Sequence, residues 1–311
     1  MNKFKGFLFG MTASSTFGLL PLFTLPIMSE GLTTNSILCY RMLFASVLVA
    51  VLMQVRKIAF RTNLKELLWF AFLGFFYYGS ASLLFQAYGT MSSGMATTLH
   101  FLYPVGVTLI MALVFKQRPS PFTILAIILG LSGVALLSLK ESGGSSSASF
   151  VGILLVLLSG LSYAAYLVTM NNVRRVRESN NLKLTLYVLI FSALFFLLDT
   201  SLSGGLQMIP SGRALTNLLL LAFLPTLVSN LALVRAVKSI GSTLTSVLGA
   251  MEPLTAIVIG VVVFGEEVTG PMALGILLIL LSVTIIVLSP LLDKNIADRL
   301  RRLSKRSITR Q

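Results

Sequence analysis

The sequence predicts an all-α membrane protein of ten transmembrane helices, arranged as two inverted five-helix repeats. Three observations carry this expectation: composition, the spacing of apolar runs, and a match between the two halves. Of the 311 residues 56% are hydrophobic and only 11% charged, with a mean hydropathy of +0.92, far too apolar for a soluble chain of this length. Apolar runs long enough to cross a bilayer recur at 4–27, 33–55, 66–88, 93–115, 120–139, 150–172, 181–199, 214–237, 243–264 and 269–290.

Each run is bounded by polar or turn-forming residues. The first starts with Lys3 and Lys5, as a secretory leader does, but its apolar part is long, contains Pro21 and Pro26, and has no small-x-small cleavage site. It reads as a retained span. The connections are short except for ESGGSSSASF, residues 141–150, which has the composition of a flexible linker and halves the ten runs. The chain divides there into a first repeat (4–139), a linker (140–149), a second repeat (150–290) and a basic tail (291–311).

The distribution of Lys and Arg sets an orientation. With the N-terminus cytoplasmic, twenty of the 24 basic residues fall in the inside segments, including seven in the tail. The outside loops hold Lys140 and Arg213, and Arg41 and Arg235 lie within spans. That asymmetry obeys the positive-inside rule and places both termini in the cytoplasm of a multi-pass inner-membrane protein. The formal charge of +14 therefore faces lipid headgroups rather than nucleic acid.

The halves repeat each other. Residues 87–115 lie on 236–264 without a gap at a constant offset of 149, matching Ser93 with Ser242, Leu99 with Leu248, Pro104 with Pro253, Ile110 with Ile259 and Phe115 with Phe264. A looser match lays FKGFLFGMTASSTFG on FVGILLVLLSGLSYA through Gly6 and Gly152. Five spans per half is an odd number, so the second half is inverted relative to the first, the arrangement of carriers that alternate access around a site at the repeat interface.

The stretch RAVKSIGSTLTSVLGAMEPLTAIVIGVVVFGEEVTGPMALGILLILLSVTII resembles the second repeat of the EamA family of the drug/metabolite transporter superfamily. AYGTMSSGMATTLHFLYPVGVTLIMALVFKQRPSPFTILAIILGLSGVALL resembles its first repeat. The resemblance covers nearly the whole chain and implies a ten-helix bundle with a central cavity that exports or takes up small metabolites such as amino acids. It departs at KQRPS, where family members often carry an acid. That acid survives only in the second repeat, as Glu266 and Glu267.

Candidate site residues follow from polar groups at membrane depth. Glu252, directly before Pro253, is a carboxylic acid with no short path to water, at a cost on the order of 3 kcal/mol. Pro104 and Pro253 remove the hydrogen bonds to the carbonyls of His100 and Gly249 and predict kinks. Polar stripes at helical spacing add Thr245 on the ninth span, Tyr78, Ser82 and Gln86 on the third, Tyr166 with Ser159 and Ser162 on the sixth, and Asn230 on the eighth. Tyr103, Tyr163 and His100 complete the set of residues expected to bind substrate or couple its movement. For any single Ser, Thr or Gly the competing reading is close helix packing, and for Arg41 it is a structural role.

No catalytic residue and no cofactor is expected. The sequence has no G-x-x-x-x-G-K-[ST] run, one cysteine (Cys39) and one histidine (His100), which leaves no nucleotide motor and no zinc ligand set. The spans also lack clustered Lys or Arg at mid-depth of the kind that would hold a phosphorylated sugar. The expected substrate is a small neutral or zwitterionic metabolite, amino acids foremost, with protons as the coupling ion. Uptake, efflux of lipophilic cations and a channel-like facilitator remain as alternatives, and monomer and dimer are both open. The topology is testable in a Cys39-free background. A cysteine replacing Ser145 should react with an impermeant thiol reagent added outside, and one replacing Ser304 should not; the reverse pattern would invert every side assigned above.

Overall fold

A computed structural model describes residues 3–87, 90, 96, 99–117, 119–138, 150–264, 270–271, 273–286 and 288. The linker 140–149 with Ser145, the acids Glu266 and Glu267, and the tail 291–311 with Ser304 lie outside the described residues. Among the described residues there is no strand. The helices are α1 (Lys3–Phe17), α2 (Leu20–Ser29), α3 (Thr34–Val55), α4 (Leu64–Ala87), α5 (Tyr103–Leu113), α6 (Pro121–Ser138) and α7 (Phe150–Asn172). They continue as α8 (Arg174–Glu178), α9 (Asn181–Leu202), α10 (Gly212–Leu221), α11 (Ser229–Ile240), α12 (Ser242–Leu248), α13 (Met251–Phe264) and α14 (Ala273–Ile286).

Among the described residues six runs are long and apolar enough to span a membrane: Lys3–Ser29, Thr34–Val55, Leu64–Ala87, Phe150–Asn172, Asn181–Leu202 and Gly212–Ile240. Of the remaining sequence-expected spans, α5, α6 and α14 are shorter apolar helices. The expected starts of the fourth and tenth spans, 93–95 and 269, are not among the described residues. Large apolar side chains cover the outside of the bundle, Val47, Leu198 and Val262 among them, as expected of a protein whose solvent is hydrocarbon.

Helix ends follow local chemistry. Asn180 caps α9, its side-chain oxygen accepting from the Leu182 amide at 2.9 Å. Ser211 caps α10 by accepting from the Ala214 amide at 3.0 Å, and Ser120 accepts from Thr123 at 3.2 Å before Pro121 opens α6. At the basic end, Lys238 Nζ donates to Ser179 O at 2.7 Å and Asn181 Oδ1 at 2.9 Å, while Lys183 Nζ donates to Arg61 O at 2.7 Å. At the opposite end Tyr40 donates to Gln207 O at 2.7 Å, and the Thr33 amide donates to the Gln207 side chain.

The helix contacts come in exchanged pairs. On the α6–α14 interface Gly130 faces Ser282 and Gly133 faces Ile279, and the residues of one contact sit 149 positions from those of the other. Between α7 and α4 the Ser159 hydroxyl donates to Ser80 O, and between α11 and α1 the Ser229 hydroxyl donates to Ala13 O at 2.8 Å. Ser80 and Ser229 are 149 apart; Ala13 and Ser159 are 146 apart, the offset that relates Gly6 to Gly152. A Cβ on Gly106 of α5 would lie 3.3 Å from Ala164 of α7, and one on Gly18 would lie 2.8 Å from Thr255 of α13. In each pair the helices swap halves. The glycine moves to whichever side needs the close approach.

Candidate functional site

Four helical runs lose their regular hydrogen bonding around one interior space, and proline or glycine marks each break. The chain turns at Gly18 and Leu19 between α1 and α2, at Phe101 and Leu102 before α5, and at Gly249 and Ala250 between α12 and α13. Between α10 and α11 it widens into a π-helix, Ala222–Val228, around Pro225. The two prolines expected to kink their helices stand instead in the first turn of a new helix, Pro104 in α5 and Pro253 in α13. The first turn needs no donor, and proline's fixed φ suits it.

The carbonyls freed by these breaks acquire other partners or neighbours. Gly249 O accepts the Glu252 amide at 2.9 Å. Leu221 O, which cannot take an i+4 amide because Pro225 stands there, also accepts the Thr226 hydroxyl at 2.8 Å. His100 O lies against Gly160, where a Cβ would sit 3.3 Å away. Glu252 is in the first turn of α13, where the unpaired amides of a helix start favour negative charge. Gly18 lets the α1–α2 turn rest on the Glu252 backbone, since a Cβ there would run into Glu252 O.

These elements enclose a small chamber built from both halves of the chain. Ser14 and Phe17 of α1, Tyr77 of α4 and Tyr103 of α5 meet Tyr163 and Leu167 of α7, Ser229 and Asn230 of α11, Thr245 of α12 and Glu252 of α13. Its free space is about 20 Å³, room for about one water. Among the described residues the Glu252 carboxyl accepts no protein hydrogen bond. It opens on the chamber.

Of the residues expected from sequence, Glu252, Tyr103, Tyr163, Asn230 and Thr245 share this wall. Tyr166 stands one layer behind it, its ring 5.9 Å from Tyr163 and 5.4 Å from Tyr77. His100 adjoins the same aromatic group, 5.7 Å from Tyr103, with Nδ1 3.0 Å from Ser159 Oγ. The Ser159 hydroxyl proton goes to Ser80 O, so the His100 Nδ1 must carry the proton in their bond. Tyr78, Ser82 and Gln86 are not on the chamber wall. Tyr78 packs on Phe195 and Phe196 of α9 at 5.7 and 4.8 Å, and exposed Gln86 donates to Ser82 at 3.2 Å.

The polar shell contains residues that the sequence pattern does not single out. Tyr77, beside the expected polar stripe of Tyr78, Ser82 and Gln86, is one, and the run TASSTFG on α1 supplies Ser14 and Phe17. Arg41 is another. It does not snorkel to the membrane surface but is 3% exposed, with Nε donating to Thr226 Oγ1 at 2.7 Å and Nη2 reaching Tyr77 at 3.5 Å. Its guanidinium lies 5.1 Å from the centre of the Phe17 ring. Asn230 Nδ2 donates to Tyr77 at 3.2 Å and to Thr226 O at 2.8 Å. Arg41 and Glu252 lie within electrostatic reach of each other but form no ion pair; the one ion pair among the described residues is exposed, Arg174 with Glu178. Tyr77 and Phe17 touch both Arg41 and the chamber. Arg235 lies over Phe9 at 5.4 Å, nearer the basic end.

The profile of the EamA-like transporter family matches residues 4–139 and 150–288. The chain belongs to the EamA-like transporter family. It is a multi-pass membrane protein with two EamA repeats. Two relatives are named as uncharacterized transporters. One, sll1319 of Synechocystis, is 26% identical over 71% of this chain and 68% of its own. The other, the inner membrane transporter YicL of Salmonella typhimurium, is 27% identical over 63% of this chain and 65% of its own. A solved crystal structure superposes with a TM-score of 0.79 at 19% identity, covering 94% of this chain and 98% of the other; at that identity it shows the shared fold alone.

In this EamA-like transporter Thr226 joins the π-helix to the buried cation. Thr226→Val should leave Arg41 Nε without its acceptor, at a cost of about 1–3 kcal/mol. Thermal unfolding of the purified protein in detergent reads this directly. A melting temperature equal to wild type would show that the Arg41–Thr226 bond carries no stability.

Proposed function

We propose that this EamA-like transporter is a gradient-driven secondary carrier of the cytoplasmic membrane that exports amino acids or related neutral or zwitterionic metabolites by alternating access. It has ten spans in two inverted halves, with both termini in the cytoplasm. The observation that carries this reading is a carboxyl group, Glu252, opening on a closed chamber whose wall is drawn from both repeats. The exchanged helix contacts support the inversion, because a two-fold relation between halves of opposite orientation lets one packing pattern close either end.

The chamber suits an amine-bearing solute. Phe17, Tyr77, Tyr103 and Tyr163 surround the acid with aromatic faces, and Asn230 and Thr245 supply amide and hydroxyl groups. An ammonium group can exchange its water for the Glu252 carboxylate and the ring faces. A proton on Glu252 can occupy the same place, so solute and proton would compete for one acid and couple their movements. Because the chamber has room for about one water, a larger occupant requires the surrounding helices to part. The chain pivots at the α12–α13 turn, where the Tyr103 hydroxyl rests on Gly249. The same aromatic wall favours lipophilic cations as a second reading, and competition between labelled amino acid and a quaternary ammonium compound separates the two.

Glu252→Gln keeps size and hydrogen bonding while removing charge and titration. In proteoliposomes with an imposed proton gradient the variant should insert normally and lose concentrative transport. Retained exchange with lost proton dependence assigns the acid to coupling, and lost binding assigns it to the solute. Wild-type rate with unchanged pH dependence would make the acid architectural and refute the proposal.

A further inference from the structure

A second, larger cavity lies at the basic end of the bundle, between α5, α6, α7 and the start of α12. Its free space is about 210 Å³, with Thr108, Gln117, Thr123, Asn171, Ser242 and Thr243 among its lining residues. That volume is below the roughly 300–1,000 Å³ of drug-sized pockets and ten times that of the central chamber. No ionised side chain is on its described wall.

Two of its groups have no protein partner among the described residues. Ser242 is 1% exposed and its hydroxyl makes no hydrogen bond, a state that costs about 1–3 kcal/mol in a packed interior. The Asn171 amide makes none either, and both its polar atoms lie near 4.0 Å from where a Cβ on Gly241 would be. Gly241, at a φ of 87°, carries no side chain, which keeps this corner open. By contrast Thr108 already donates to Pro104 O at 2.8 Å, so its oxygen can only accept, and Thr123 is paired with Ser120 at 3.3 Å.

We propose that this vestibule is a second solute site, which takes a net-neutral, hydrogen-bonding solute of amino-acid size through Ser242 and Asn171 before it reaches Glu252. The solute class and the cytoplasmic position rest on the transport reading above. The site's existence rests on the cavity and its unpartnered groups. α12 connects the two chambers: Ser242 and Thr243 line the vestibule and Thr245, two residues on, lines the centre.

Scintillation proximity binding of tritiated glutamine, leucine and phenylalanine to the full chain in lipid nanodiscs tests the site. Wild type should bind at least one probe at two sites per chain. Ser242→Ala, which removes a buried hydroxyl without a partner, should leave the melting temperature unchanged or raise it and weaken one of the two sites about tenfold, the scale of one hydrogen bond. Asn171→Leu should weaken the same site, and Glu252→Gln the other. Binding that survives Glu252→Gln but falls in Ser242→Ala supports the vestibule even if Glu252 proves to have no part in transport. If Ser242→Ala and Asn171→Leu bind all three probes as wild type does, or no probe shows binding that depends on Ser242, the proposal is overturned.

Discussion

A backbone inside a bilayer must satisfy its own hydrogen bonds, and this chain interrupts its helices around a single interior space. That constraint organises the rest of the core. Each break frees polar groups that hydrocarbon cannot solvate, so the surrounding helices bring polar groups or bare glycine faces to them: Thr226 to Leu221 O, Gly160 to His100 O, and Gly18 to the backbone of Glu252. The polar chamber follows from these repairs. Without Pro225 and the π-helix, Thr226 and Asn230 would be re-aimed by a helical step, and Arg41 would lose its acceptor.

The same constraint accounts for two opposite charges in the core that do not touch. A directly paired arginine and carboxylate would stabilise each other, but they would also be hard to separate and slow to accept a third partner. Here Tyr77 and Phe17 stand between the chamber and the guanidinium, and Tyr77 also accepts from Asn230. Arg41 thus offsets the charge of Glu252 through space without bonding to its carboxyl. The helix start at Met251 acts in the same direction.

Much of this was legible in the sequence, because the features depend on local chemistry. Apolar runs announce spans, an offset of 149 announces a repeat, and a carboxylate beside a proline announces a break with a charged group at it. Five of the ten residues expected at the site share one wall. What stayed hidden depends on rotation and depth. The polar stripe Tyr78, Ser82 and Gln86 points to Tyr78 rather than its neighbour Tyr77, but the packing of α9 against α4 covers Tyr78 with Phe195 and Phe196 and leaves Tyr77 on the chamber wall. Arg41 lies near enough to a span end to suggest snorkelling, and only the π-helix, which no sequence period encodes, supplies the acceptor that keeps it inside. The vestibule escaped notice because its walls come from the ends of four elements, none of which is distinctive alone.

The central claim is that the Glu252 carboxyl is a working group that changes its bonding when cargo arrives. Infrared difference spectroscopy of the protein in lipid, recorded on addition of a transported amino acid, measures this at the group itself. The account predicts a change in a carboxyl or carboxylate stretching band that is present in wild type and absent in Glu252→Gln. An identical difference spectrum in the two proteins would contradict it.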